Sequence, residues 1–161
     1  MAQHEPRLTL ALRRLLQSQR VAALGTMGND GAPLVSMVPF AIAREPGCIV
    51  IHVSGLAAHT GNLQKTSDVS LLVMQAEVAG APVHALPRVT LEARAEVLEA
   101  ETPLWLACRA AYLLRFPEAE PMTALSDFRF VALRVNGARQ VAGFGAARSV
   151  SAEEVAQVLL G

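Results

Sequence analysis

The clearest hydrophobic pattern in the chain is a strict alternation over residues 89–97. Every second residue there is apolar, and the residues between them are Thr90, Glu92, Arg94 and Glu96. Successive side chains of a strand point to opposite faces of a sheet, so this pattern predicts a strand with one buried and one solvated face. Apolar runs predict six more strands, at residues 21–26, 33–42, 48–53, 69–75, 128–135 and 140–141. Asn136-Gly137 predicts a hairpin between the last two.

Helical patterns stand at the two ends of the chain and near its middle. An amphipathic first helix is predicted to begin at Pro6, and a second one to extend from an N-cap at Thr102 to about Arg115. Residues 151–154 form a capping box that opens a short last helix. Strands joined mostly by short turns do not alternate with helices as βαβ units. We therefore predict a mainly β (α+β) antiparallel barrel with peripheral helices, in one domain over residues 1–161.

Composition narrows the class of protein. The chain is 52% hydrophobic and only 17% charged, yet no apolar stretch approaches the ~20 residues of a membrane span. Residues 1–7 lack the features of a signal peptide, so a cytoplasmic location is expected. Excess apolar surface without a membrane segment suggests a buried subunit interface.

The polar residues give no sign of nucleic acid or metal. Acidic and basic residues balance at 14 each, and no basic run occurs, so nucleic acid is not expected as a partner. Cys48 and Cys108 stand within an apolar strand and an apolar helix, which favours buried, reduced thiols. The chain has four histidines, His4, His52, His59 and His84. Their spacing matches no metal-binding motif, so we expect no metal site. His52, inside an apolar strand, is typical of a hydrogen-bonded core histidine.

Residues 54–63, Ser-Gly-Leu-Ala-Ala-His-Thr-Gly-Asn-Leu, lie between two predicted strands and carry the strongest chemical signal. Their small residues let the backbone approach a ligand, and Ser54, His59, Thr60 and Asn62 supply polar side chains. The segment predicts a polar loop and one short helix, whose free N–H groups and dipole favour an anion such as phosphate. The same local pattern fits an ordinary capped turn in which His59 only bonds the backbone.

With this loop in place, the chain resembles the FMN-binding split-barrel superfamily of pyridoxamine 5′-phosphate oxidase-related proteins, and in particular its heme-utilisation branch. Each matching motif is short, but together they follow the branch in order and spacing over about residues 20–148. The matches are Gly31-Ala-Pro33 with Ser36, Ser54 to Leu63, Ser70-Leu-Leu72, Arg88, Asp127-Phe128 and Gly143-Phe-Gly145.

This resemblance implies a homodimer of six- to seven-stranded split barrels with FMN in clefts at the subunit interface. The basic phosphate ligands of the wider family fall here on Ser36, Ala41, Ala58 and His59, so three of four are uncharged residues. Fewer cations would face a phosphate of nearly two negative charges. The implied cofactor-binding residues are Ser36, Met37, Val38, Pro39, Ser54, Ala58, His59, Thr60, Asn62 and Arg88.

The function implied by the resemblance is a flavin-dependent oxidoreductase acting on an unidentified small-molecule substrate, with no catalytic acid or base identified. Residues 143–148 lack the tryptophan of the oxidase proper, which disfavours vitamin B6 oxidation. One alternative is a heme-binding or heme-degrading protein. Heme-degrading members have a histidine-containing C-terminal domain that this sequence does not show, so the axial ligand would be His52, His59 or His84. Further alternatives are a non-catalytic flavin carrier or sensor, and a dimer that has lost its cofactor.

Overall fold

A computed structural model describes residues 5–161, so His4 lies outside the described part of the chain. Within it, five α-helices surround an eight-stranded antiparallel sheet that curls into a half-barrel. The elements are α1 Arg7–Ser18, β1 Val21–Met27, β2 Pro33–Pro39, β3 Ala41–Ala43, β4 Cys48–Ser54, α2 Ala58–Lys65, β5 Asp68–Met74, β6 Arg88–Val97, α3 Pro103–Arg115, α4 Glu120–Thr123, β7 Phe128–Val141, β8 Ala147–Ser151 and α5 Ala152–Leu160. The predicted antiparallel split barrel with peripheral helices is confirmed.

The order of strands across the sheet places β2 at one end. The sheet follows the order β2-β1-β5-β6-β7-β4-β3, and β8 pairs with the second half of β7. One edge of β2 therefore has no partner strand within residues 5–161. The backbone N–H and C=O groups along such an edge can bond another molecule.

Three predicted strands differ from the observed ones. The strand predicted over 33–42 divides at Phe40 into β2 and β3. The hairpin predicted at Asn136-Gly137 is wrong, because β7 continues through both residues as one strand. The register against β6 shifts between Glu92 and Ala93, which makes Asn136 the extra residue of a β-bulge. A bulge bends the strand without reversing it, and Gly137 then pairs with both neighbouring strands.

The buried apolar residues form two clusters on opposite sides of β4. The first lies inside the half-barrel, where α1 and α5 pack against the sheet. The second lies between β3, β4, β7 and α3, and it contains both cysteines as free, buried thiols. The expected reduced, buried thiols are thus confirmed. Every residue of β4 except Ser54 is buried, because side chains of both its faces enter a core.

The helix starts follow the sequence signals. The Thr102 side chain accepts a hydrogen bond from the N–H of Trp105 at the start of α3, with Pro103 at the first helical position. Ser151 accepts one from the N–H of Glu154 at the start of α5. The Glu154 carboxylate binds Arg148 and Thr9 instead of completing the capping box, and so fixes α5 to β8 and α1.

Candidate functional site

A close backbone contact with Asp127 fixes the position of the loop that leads into α2. The N–H of Gly55 donates to the carbonyl oxygen of Asp127 at 2.6 Å, and a Cβ on Gly55 would lie 2.8 Å from that oxygen. Only glycine fits such an approach. Ser54 accepts a hydrogen bond from the N–H of Leu56 at 3.2 Å and bonds the Asp127 carboxylate at 3.4 Å. Part of the run of small residues therefore serves packing between β4 and β7.

His59 and Ser36 form a hydrogen-bonded pair between α2 and β2. The imidazole Nδ1 lies 2.9 Å from the Ser36 Oγ, and no residue in the described chain bonds the other ring nitrogen, Nε2. Burial lowers the pKa of His59 below its ordinary value of 6.5, so the ring is mostly neutral at pH 7. A neutral ring held through Nδ1 presents a free lone pair at Nε2 whenever Nδ1 carries the proton.

The other polar side chains of α2 bond within the protein. Thr60 is buried and donates to the carbonyl oxygen of Ser54 at 2.6 Å, and the Asn62 amide donates to the Thr26 hydroxyl at 3.1 Å. These bonds tie α2 to β4 and β1. The N–H groups of Thr60 and of Gly61 bond the Ala57 carbonyl, which leaves the N–H groups of Ala58 and His59 without an acceptor in residues 5–161.

The four predicted cofactor-binding residues of β2 alternate between the two faces of the sheet. Ser36 faces α2 and Val38 is buried in the core, whereas Met37 points outward and is 66% exposed. Pro39 is half-buried at the end of the strand. Because β2 lies at the end of the sheet, the backbone beside these residues is open along one edge.

An apolar groove covers the outer face of β1, β2 and β5 and reaches Ser36. It measures ≈ 470 Å³, and its exposed apolar side chains are Val21, Val35, Met37 and Met74. Large apolar side chains that cluster on one exposed face mark a binding or subunit surface.

Arg88 lies apart from the α2–β2 junction, the place where Ser36 of β2 contacts His59 of α2. Two strands separate β6 from β2, which at about 4.8 Å per strand puts them about 14 Å apart along the sheet. Arg88 pairs in register with Met74 at the rim of the groove, and its guanidinium donates to the carbonyl oxygen of Leu86 at 2.9 Å. The predicted residues thus divide into a set at the junction and one arginine at the far rim of the groove.

The other histidines differ sharply in their surroundings. His84 is exposed in the connection between β5 and β6. His52 is buried among Phe128, Phe130 and Tyr112, with ring centroids 5.0, 4.4 and 5.7 Å away. Desolvation lowers the pKa of His52 to about 4. The prediction of a core position is confirmed, but no residue of the described chain forms the expected hydrogen bond with its ring.

His52 also lines a cavity that the sequence did not predict. The cavity measures ≈ 540 Å³ and lies between residues 98–101 and 123–126, above β4 and β7. Its parts come from three separate stretches of chain, so no local pattern signals it. The only hint in the sequence is a histidine in an otherwise apolar strand.

Comparison with known proteins decides the family. The family model described as Pyridoxamine 5'-phosphate oxidase matches residues 8–142. The chain belongs to this family. The heme oxygenase HutZ of Vibrio cholerae serotype O1 is 29% identical to this family member over 150 residues, which cover 92% of the chain and 84% of HutZ.

Solved structures point to the same branch. A heme-binding protein from Mycobacterium smegmatis superposes with a TM-score of 0.85 at 30% identity, over 96% of the chain. The chain spans 62% of the length of that protein. The structure of HutZ, a heme storage protein from Vibrio cholerae, gives a TM-score of 0.72 at 28% identity over 80% of the chain and 89% of HutZ. The resemblance to the heme-utilisation branch is thereby confirmed.

No group of three or more histidine, cysteine, aspartate or glutamate side chains within residues 5–161 is arranged to hold a metal ion. No helix in that range is both long and apolar enough to cross a membrane.

Proposed function

We propose that this family member binds heme and that His59 is the ligand to the iron. The observation that carries the proposal is the state of the His59 ring, which is neutral, half-buried and bonded through Nδ1 to Ser36. Iron takes a neutral imidazole, and a hydrogen bond on the second nitrogen fixes the ring of a metal-bound histidine. The similarity to HutZ and to the mycobacterial heme-binding protein supports heme as the molecule bound.

The groove that reaches Ser36, the hydrogen-bond partner of His59, suits a large apolar ligand with acidic groups. The groove that Ser36 also lines presents Val35 and Met37 to a flat apolar ring. Heme carries two carboxylates, and the guanidinium of Arg88 stands at the far rim as a cation for one of them. In this proposal the iron binds at the junction and the porphyrin ring lies in the groove.

A second copy of the chain would cover the groove, with the porphyrin held between the two subunits. The exposed fraction of the apolar side chains in the groove is between 48% and 68%, and a homodimer would bury this apolar surface favourably. These side chains are Val21, Val35, Met37 and Met74. Met37→Asp should shift the mass measured by light scattering from dimer to monomer. Leu114→Asp, at an 87% exposed position on α3, should leave the mass unchanged. A wild-type monomer at all concentrations would contradict the dimer.

Heme titration tests the assignment of His59. Heme added to the purified protein should give a saturable Soret band, and His59→Ala should weaken binding at least about tenfold. His84→Ala removes an exposed histidine and serves as the matched control. Equal affinity in the wild type and the His59 variant would reject His59 as the ligand, and the absence of a Soret band would reject heme binding.

The second candidate is FMN binding, either for a flavin-dependent oxidoreductase acting on a small molecule or for a non-catalytic carrier or sensor. The observations that favour it are the open edge of β2 and the two unbonded N–H groups at the start of α2. Bound FMN would supply hydride or electron transfer through its N5. The donors at the junction are uncharged while His59 is neutral, so they fit the phosphate weakly. A flavin absorption spectrum retained after gel filtration would support this candidate.

A further inference from the structure

The cavity beside His52 contains a polar group with no partner in the chain. The His52 side chain is only 8% exposed, and no group of residues 5–161 forms a hydrogen bond with its ring. No fully enclosed side-chain nitrogen or oxygen in that range lacks a partner. The unpaired edge of the imidazole therefore opens into the cavity that His52 lines. An unpaired polar group in an apolar setting costs free energy, which a ligand would recover by bonding it.

The walls of this cavity are aromatic. The Phe128 ring stacks on His52 at an angle of 28°, and Trp105 meets Phe130 edge-on with 5.8 Å between ring centroids. All four residues line the cavity. Aromatic walls of this kind favour a flat ring that stacks or packs edge-on against them. They also attract a positive charge over their faces.

The rim of the cavity is acidic. Glu99 and Glu101 both stand there with exposed side chains. The single cation at the rim, Arg129, already donates to the carbonyl oxygens of Ser126 and Phe128. Glu101 also has a φ of +66°, a left-handed conformation that non-glycine residues rarely adopt and that concentrates at functional sites.

We propose that this cavity binds a small planar nitrogen heteroaromatic that carries an amine. The ring would lie between Trp105 and Phe128 and donate its N–H to the His52 imidazole, and the ammonium group would reach the carboxylates of Glu99 and Glu101. This site is separate from the α2–β2 junction, and the inference does not depend on heme or FMN binding.

Trp105 is the single tryptophan of the chain, so its fluorescence reports directly on this cavity. Histamine is the probe, because it joins an imidazole N–H to an ammonium group. Imidazoleacetic acid reverses the side-chain charge, and 2-phenylethylamine lacks the ring N–H. We expect saturable quenching by histamine, confirmed by calorimetry, with at least about tenfold weaker binding of both comparison compounds.

Two substitutions make the test specific. His52→Phe keeps an aromatic ring but removes the acceptor, and Glu101→Gln removes one carboxylate from the exposed rim. Each should weaken histamine binding at least fivefold, whereas Glu92→Gln, at an exposed site outside the cavity, should not. Because Glu101 is exposed, its variant decides the test if His52→Phe does not fold.

Three outcomes would overturn the proposal: no saturable change with histamine, equal binding of imidazoleacetic acid, or unchanged affinity in Glu101→Gln. Loss of the heme Soret band in His52→Phe but not in His59→Ala would assign the cavity to heme and overturn this proposal as well. Histamine binding that persists in His59→Ala would show that the two sites are independent.

Discussion

His59 and His52 are held in opposite ways, although burial lowers the pKa of both rings. His59 stands on a short helix after a polar loop, half-buried, with one nitrogen bonded to Ser36. His52 stands in the middle of a buried strand, packed against aromatic rings, and its nitrogens have no partner in the described chain. One ring is oriented by a hydrogen bond, the other by stacking.

This difference shows that the polarity of the surrounding sequence does not predict where an unsatisfied group lies. The loop around His59 is rich in hydrogen-bonding residues, and each of them bonds another part of the protein or the loop's own backbone once the chain folds. The strand around His52 offers its ring no such partner, so the ring keeps its capacity to bind. Both histidines are therefore neutral bases near pH 7. Adjacent residues predict the buried position of His52 but not the lack of a hydrogen-bond partner for its ring.

The largest expected effect comes from removing the ring that contacts His52 most closely. Phe130→Ala leaves a cavity in the second core cluster and should lower the free energy of unfolding by about 3–5 kcal/mol. Denaturant unfolding measures the change. Phe144→Ala, at a 92% exposed position, should stay within about 0.5 kcal/mol. Equal effects of the two substitutions would contradict the packing described for His52.

Acid should destabilise the protein through His52. Its pKa is about 4 in the folded chain against 6.5 in the unfolded chain, so the unfolded state takes up the proton first. Stability contributed by the neutral ring is complete above pH 6.5, declines as the pH falls and is lost by about pH 4, a change of about 3 kcal/mol at most. His52→Phe should flatten the curve of unfolding free energy against pH over this range. An unchanged slope in that variant would mean that other groups dominate.

A smaller effect separates two glycines beside His59. Gly55→Ala should destabilise the fold by about 1–3 kcal/mol, because its Cβ would meet the Asp127 carbonyl oxygen at 2.8 Å. Gly61→Ala places a methyl group in open space on α2 and should be neutral or stabilising by up to about 1 kcal/mol. Thermal unfolding of the two variants gives the comparison. Similar melting temperatures would argue against the close contact at Gly55.

The smallest effect distinguishes the two ligands proposed for the junction. Iron needs the neutral His59 ring, so heme affinity should fall about tenfold for each pH unit below the pKa of His59, which burial holds under 6.5. The FMN phosphate favours the protonated ring, so FMN affinity should rise over the same range. Titrations of each ligand between pH 7 and pH 5 show whether its affinity rises or falls. In the His59→Ala variant the affinity should no longer change with pH. A rise in heme affinity would contradict the assignment of His59 to iron.

Much of the fold follows from local patterns in the sequence. Strand β6 extends over Arg88–Val97 because its alternation matches a sheet with one solvated face. Helix α3 begins at Pro103, because Thr102 caps it as the sequence predicts. In both cases the deciding interactions lie within a few residues of each other.

Other features depend on distant parts of the chain. Asn136-Gly137 favours a tight turn by itself, but pairing of β7 with β6 on one side and β8 on the other keeps it extended. Strand β8 escaped prediction because only Val150 of its five residues is buried, which leaves no alternation to detect. The cavity beside His52 likewise needs two segments that lie about 50 and 70 residues beyond it.

The burial of β4 on both faces has a mechanical consequence. Ile49, Ile51 and Val53 belong to the core inside the half-barrel, and Cys48 and Val50 belong to the core beneath α3. Detaching α3 would therefore expose one side of the strand that supports the other core. The two clusters should unfold as one cooperative unit, and the amide hydrogens between β4 and β7 should exchange with solvent only when the whole molecule opens.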